Sequence, residues 1–216
     1  MAASPPPSPP RFSDMEQRAF MVASRALASG CTSDSVIAAA EAVTRAAEDF
    51  FAEVCRVVDL GPVLARVACG AGCSSCCHQV VTLTVAEAER LAQFLDALTA
   101  ERKSQVFARA REAQARGIGL GPGEWWAARI PCPLLDEAGG CLAHAARGLA
   151  CRGYNSLDVD LCRRSLDGEN VQAPVLTAQV GIFAHAQIGL SKALMAAGIA
   201  QPLGTLVDTV AALGRR

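Results

Sequence analysis

The chain has almost no excess of charge. Its 216 residues carry 20 Lys and Arg against 21 Asp and Glu, a formal net charge of −1. It therefore lacks the basic footprint that nucleic acid or an anionic membrane surface requires. Lysine itself is nearly missing, with Lys103 and Lys192 standing against many arginines; this reads as compositional bias. No export signal is visible, since Met1 to Pro10 is Ala/Ser/Pro without a basic n-region or an apolar h-region. The expectation is a chain that stays in a reducing cytoplasm. No membrane span is expected either. The most apolar long run, 175–200, is broken by Gln179, His185, Gln187 and Lys192, all costly at mid-bilayer. A nucleotide fingerprint is also absent. The run Gly117-Ile118-Gly119-Leu120-Gly121-Pro122-Gly123 follows no strand, and Pro122 removes a donor that a phosphate cradle uses. No Ser/His/Asp arrangement or carboxylate pair signals an enzyme of a familiar kind.

What the chain does have is cysteine, ten in all. Four of them and a histidine fall in the stretch Cys69-Gly-Ala-Gly-Cys73-Ser-Ser-Cys76-Cys77-His78. Four more, Cys132, Cys141, Cys151 and Cys162, lie downstream in polar, turn-rich settings. In a reducing compartment such a set reads as thiolate ligands rather than disulfides. Cys31 and Cys55 stand apart, in or beside helices, and read as small buried hydrophobes.

The remaining pattern predicts a mostly α fold: a small helical domain, 13–216, with an irregular cysteine-rich metal-binding lobe over 69–162. Residues 1–12, with five prolines, predict a disordered or polyproline-like tail. Helices are expected over 12–29, closed at Gly30, and from a cap at Ser33 or Asp34 to about Asp59, ended by Gly61-Pro62. Val80 to Leu83 reads as an extended connector. Thr84 with Glu87 three residues on is a capping box opening a helix to about Thr99. A more polar helix follows over 102–116. Trp125, Trp126 and Ile130 are expected to plug the core beside the second cysteine group, the alternative being an aromatic platform. Residues 131–172 read as irregular, followed by helices over 174–197 and 203–213.

Cys73-x-x-Cys76 is the gap that lets one turn direct two thiolates at one metal, and Cys69 can fold back over Gly70 and Gly72 to join them. Cys76 and Cys77 are adjacent. Neighbouring side chains diverge by about 100° on a helix and about 180° on a strand, so the pair is expected to point apart and to need partners from 132–162. Eight thiols can make two tetrahedral zinc sites, one iron–sulfur cubane with four left over, or a compact centre with shared sulfurs; Cu(I) also suits such ligands. His78, beside Cys77, is a candidate ligand or neighbour of a ligand; His144 and His185 are weaker candidates. Among Arg66, Arg147, Arg152, Arg163 and Arg164, which flank the cysteines, Arg152 is the favoured partner for thiolate charge.

These spacings resemble the YkgJ-type cysteine-cluster family, whose CxxCxxCC domain is described as zinc- or iron-chelating. The first half of the resemblance is Cys69-x₃-Cys73-x₂-Cys76-Cys77, then Val81-x-Leu83-Thr84 and Glu87. The second is Pro131-Cys132-Pro133-Leu134-Leu135, Cys141, Arg147-x₃-Cys151-Arg152-x-Tyr154 and Asn155-Ser156-Leu157-Asp158-x₃-Cys162. Two positions depart from it: Gly148, where relatives usually have proline, and His144, where an aromatic is common nearby. The resemblance implies chelation of zinc or iron without assigning a role. A related cysteine motif occurs in flagellin lysine N-methylases.

Two functions of different class therefore stand. One is a cytoplasmic zinc- or iron-binding protein serving metal handling or maturation of a partner protein. The other is an iron or iron–sulfur enzyme for redox or group-transfer chemistry, methylase-like and protein-modifying. A third reading makes the metal lobe an interaction module that presents Trp125 and Trp126. More than one metal ion fits the thiol count, and the oligomeric state stays open.

Overall fold

A computed structural model describes residues 10–70, 72–201 and 204–215. Residues 1–9 of the expected proline-rich tail lie outside it, and Phe12 already opens the first helix. The described chain is mostly helical, as the periodicity predicts.

Three long helices form one core. They are α1 (Phe12–Leu27), α2 (Ser33–Val57) and α9 (Thr177–Ala196). Met15, Ala19, Ala23 and Leu27 recur every four residues along α1 and are buried, which is the stripe a 3.6-residue period presents to a neighbour. Facing them are Val43, Ala47 and Phe50 of α2 and Ile182, Phe183, Ala186 and Leu190 of α9. Small residues let α1 and α9 approach closely: a Cβ on Gly189 would stand 2.7 Å from Ala19 Cβ. The cap of α2 is Thr32, whose hydroxyl accepts from the Ser35 N–H at 3.3 Å, one residue before the expected start. Gly61–Leu64 then forms a short helix, α3, so Gly61-Pro62 opens a helical turn instead of only ending α2.

A second core lies between α4 (Val85–Asp96), α5 (Ala100–Arg116) and α10 (Leu206–Leu213). It gathers Leu91, Leu95, Val106, Ala110, Val210 and Ala211. Its two ends are tied by an antiparallel strand pair, β1 (Thr82–Leu83) with β2 (Gly204–Thr205), in which Thr82 faces Thr205. Each strand runs straight into a helix whose cap is a threonine. Thr84 accepts from Glu87 N–H and Thr205 from Asp208 N–H, a local satisfaction of orphan donors. The connector expected at 80–83 is thus half of this strand pair.

Trp125, on the short helix α6 (Pro122–Ala127), is buried with Ile130, Val207 and Ala113, as the core-plug reading expects. Trp126 is half-buried and donates its indole N–H to the Ser165 carbonyl at 3.2 Å. The stretch 131–172 is less irregular than expected. It holds a 3₁₀ turn (His144–Ala146) and helices α7 (Leu149–Gly153) and α8 (Val159–Leu166). No helix among the described residues is long and apolar enough to cross a membrane.

Glu87 joins these parts. It is 5% exposed and spends both carboxylate oxygens. Oε2 accepts from Thr84 N–H at 2.9 Å, Thr84 hydroxyl at 2.8 Å and the Gln187 amide of α9 at 2.9 Å. Oε1 accepts from the Leu149 N–H at 2.7 Å. One buried charge, fully hydrogen-bonded as burial demands, therefore caps α4 and α7 and touches α9. Gly148 belongs to the same contact, for a Cβ there would stand 2.8 Å from Leu83 Cδ2 and 2.9 Å from Glu87 Oε1. Leu83 and Glu87 fill the space that a proline ring would need.

Candidate metal centre

The cysteines are carried on three short devices. The first carries Cys69 and Cys73 and leads into a 3₁₀ turn, Ser75–His78, which holds Cys76 and Cys77. Cys69 is fixed against the chain that precedes α8: Ser156 donates its N–H to Cys69 Sγ at 3.1 Å, and Ala68 N–H bonds the Ser156 carbonyl at 2.9 Å. The second device is a tight hairpin over 132–142. Leu135 and Cys141 form an antiparallel bridge, and Asp136 Oδ1 accepts from Ala138 and Gly140 N–H groups across the turn. The third is the pair α7 and α8, bearing Cys151 and Cys162.

Backbone contacts bring the devices together. Cys132 N–H bonds the Cys77 carbonyl at 2.7 Å, linking the hairpin to the 3₁₀ turn. Gly72 and Gly139 both have φ near +80°, a region only glycine enters freely, and a Cβ on Gly139 would stand 3.0 Å from the Gly72 carbonyl oxygen. The result is a cavity of about 700 Å³ whose walls include Cys69, Cys73, Cys76, Cys77, Cys132, Cys141 and Cys151. Cys162, on α8, is buried and is not part of the cavity wall. Cys31 is exposed, its thiol 3.5 Å from the Ala197 carbonyl. The buried reading therefore fails for Cys31, and Cys55 is half-buried. Neither lines the cavity.

Cys76 and Cys77 follow one another on the 3₁₀ turn, and both line the cavity. The neighbouring Cys77 thiol first, then burial, pushes the Cys76 thiol far above its ordinary range. Burial first, then neighbouring cysteines, pushes Cys132 and Cys151 up to about 12. Both residues are half-buried and line the cavity. Cys69, Cys141 and Cys162 are raised too, again mainly by burial. Such thiols hold their protons until a cation offsets the charge, and that is what a bound metal supplies.

The arginines divide differently from expectation. Arg152 donates to Glu48 at 2.7 Å, to the Ala145 carbonyl at 2.6 Å and to the Arg147 carbonyl at 3.2 Å, so its fork is spent on holding α7 and its approach in place. Arg147 stands among the thiols. Its charge lowers those of Cys76, Cys141 and Cys151 against the burial that raises them. Its Nε is buried without a hydrogen-bond partner, a deficit that a thiolate sulfur or bound group would fill. Nothing in the sequence separates Arg147 from Arg152. His78 turns Nδ1 toward the Ser74 and Ser75 carbonyls, each at 3.3 Å. His144 is exposed, and His185 sits on α9 against Glu16 at 3.2 Å. Tyr154, part of the second motif, and Gln79, which the residue patterns did not single out, line the cavity beside the thiols.

Among the described residues no three His, Cys, Asp or Glu side chains already stand close enough to hold one ion. The thiols ring the cavity, and coordination requires them to turn inward about χ1, where staggered alternatives exist. The donor chemistry fits: an all-thiolate set with a buried, unpartnered guanidinium nitrogen suits zinc or iron.

The architecture is a helical protein whose clustered cysteines line one cavity. Residues 68–172 match the CxxCxxCC family model, described as a "putative zinc- or iron-chelating domain". The family name spells Cys-x-x-Cys-x-x-Cys-Cys; here Cys69 lies one residue further upstream, and Gly70 occupies the place of the first cysteine. No curated protein and no solved structure matches the chain.

Proposed function

We propose that the chain is a cytoplasmic metal-binding protein whose Cys69, Cys73, Cys76, Cys77, Cys132, Cys141, Cys151 and Cys162 form the zinc or iron centre, serving metal handling or maturation of a partner protein. The observation that carries this reading is the convergence of seven of these thiols, from three separate chain segments, on one cavity. A reducing cytoplasm keeps such thiols available as ligands. Arg147 balances thiolate charge from within the group, and Arg152 and Glu87 hold the backbone that presents Cys151.

One observation favours the alternative, an iron or iron–sulfur enzyme of redox or group-transfer type. A cavity of about 700 Å³ is within the range of small-molecule sites, about 300–1,000 Å³, and exceeds what metal ions need. Val80, Leu91, Val180 and Phe183 are among the apolar residues that line it. The interaction-module reading has less support, because Trp125 is buried in a core.

Metal analysis and an absorption spectrum of protein purified anaerobically without chelator test the proposal. Stoichiometric metal with fewer than ten titratable thiols is expected. Metal-poor protein with all ten thiols free sinks it. A colourless, redox-silent zinc protein speaks for a structural or handling role, whereas a brown form that bleaches on reduction speaks for the cluster alternative.

A further inference from the structure

Arg147 differs from every other arginine withdrawn from solvent. Among the described residues Arg18, Arg90, Arg109 and Arg152 are the others that are not exposed. Each has a partner: Glu53, the Ala145 carbonyl, the Pro133 carbonyl and Glu48 respectively. The Arg147 Nε is buried and bonds nothing, which is costly for a charged donor. The backbone that carries it is held from both sides. Arg152 donates to the Arg147 carbonyl at 3.2 Å, and Glu87 Oε1 accepts from the Leu149 N–H, two residues on, at 2.7 Å. Arg147 lines the cavity of about 700 Å³ and is the one lysine or arginine among the described residues that do so. The one carboxylate there, Glu87, is already spent on four donors. Val80, Leu91, Trp125, Val180, Phe183 and Val207 supply apolar wall.

We infer that the cavity binds a small organic monocarboxylate with an apolar body, one of whose carboxylate oxygens accepts the Arg147 Nε–H. The inference goes beyond the metal-binding reading and does not rest on it, since it uses the cavity and Arg147 and no metal. A guanidinium matches a carboxylate in planarity and charge. One unpartnered cation calls for one negative charge, and a phosphate ester with about two would find no second lysine or arginine in the described wall. The apolar residues call for a body that gains by leaving water. An uncharged apolar ligand would leave Nε stranded, and an inorganic anion would leave the apolar wall uncovered. An apolar wall with a few placed polar groups is the usual make-up of a small-molecule site. A cysteine thiolate turned toward Nε is the competing partner, and zinc loading separates the two.

Titration calorimetry of the full reduced, metal-free chain with octanoate as the probe tests this. One octanoate should bind per chain. Octanol, with the same body and no charge, and acetate, with the charge and no body, should each bind more weakly. For octanol the deficit should be about 10–100-fold, the loss of one charge-assisted hydrogen bond. Arg147→Met should bring octanoate down to the affinity of octanol and leave octanol unchanged, with partial recovery in Arg147→Lys. Magnetisation transfer from the octanoate chain should reach the Phe183 ring. Zinc-loaded protein should still bind octanoate. Equal binding of octanol and octanoate, an Arg147→Met protein that binds octanoate as wild type does, or no octanoate binding overturns the inference. So does loss of octanoate on zinc loading, which would show that thiolates take Arg147. A chain that takes up no zinc overturns the proposed function instead, and the metal-free titrations then decide this inference by themselves. If Arg147→Met fails to fold by circular dichroism, the wild-type comparison of octanoate with octanol decides.

Discussion

Replacing Glu87 by glutamine changes one oxygen to an amide nitrogen and almost nothing in shape, yet it should be among the costlier conservative substitutions in the chain. The carboxylate accepts four hydrogen bonds, three on Oε2 and one on Oε1. A glutamine has one acceptor oxygen and a donor group in place of the other. If its oxygen takes the Oε2 position, the amide faces the Leu149 N–H and strands it, at a cost of about 1–3 kcal/mol for a buried unsatisfied donor. The opposite orientation strands three donors and is worse. The retained bonds lose their charge assistance, partly offset because a neutral amide is cheaper to bury than a carboxylate. The net expectation is about 2–3 kcal/mol, and more for Glu87→Ala, which strands all four donors. Urea unfolding of the reduced, metal-free protein, followed by circular dichroism, measures it. Leaving metal out removes its linkage to stability. With a slope of about 2–3 kcal/mol/M for a chain of this size, the midpoint should drop by about 1 M. Amide exchange at Leu149 should accelerate in step. An unchanged midpoint and slope, with Leu149 still protected, would refute the argument that this carboxylate holds α4, α7 and α9 together.

Other substitutions test separate contacts. Arg147→Met should weaken metal binding by about 10–100-fold, the usual effect of losing a group that supports ligands, with partial recovery in Arg147→Lys; chelator competition at fixed pH measures both, and an unchanged affinity removes Arg147 from the site. Gly117→Ala would place a Cβ 1.9 Å from Trp125 Cζ3, so Trp125 must leave its slot. A loss of about 1–3 kcal/mol is expected from such overpacking, with red-shifted tryptophan fluorescence; an unshifted spectrum would contradict it. The Glu16 carboxyl is held below its ordinary value by Lys192 and then His185, which tie α1 to α9. A depressed carboxylate stabilises the fold above its unfolded value of 4.5. That contribution is lost as pH falls through the lower folded value. Glu16→Gln should therefore flatten the acid limb of a stability–pH curve, and an identical limb would refute the tie.

What could be read from the residues beforehand follows the range of the interactions involved. The first helix and the Thr84–Glu87 capping box depend on neighbours three or four residues away, so both were legible, though the buried face of that helix, Met15-Ala19-Ala23-Leu27, was not read out beforehand. The cysteine devices were legible as motifs for the same reason. What escaped was non-local. The capping box discloses one oxygen of Glu87 but not that the other caps a helix starting at Leu149, because no local pattern marks a partner 62 residues distant. Likewise Arg147 and Arg152 are equivalent as text. Glu48, on α2, takes up the guanidinium of one and leaves the other facing thiols. The vicinal Cys76-Cys77 pair is a further case: the 3₁₀ turn that carries it is held from one side by α8 and from the other by Cys132, both distant in sequence. A centre built this way is only as ordered as the packing around it. Glu87, which ties together the helices flanking the cysteine lobe without being among its expected ligands, should then govern metal retention as well as stability.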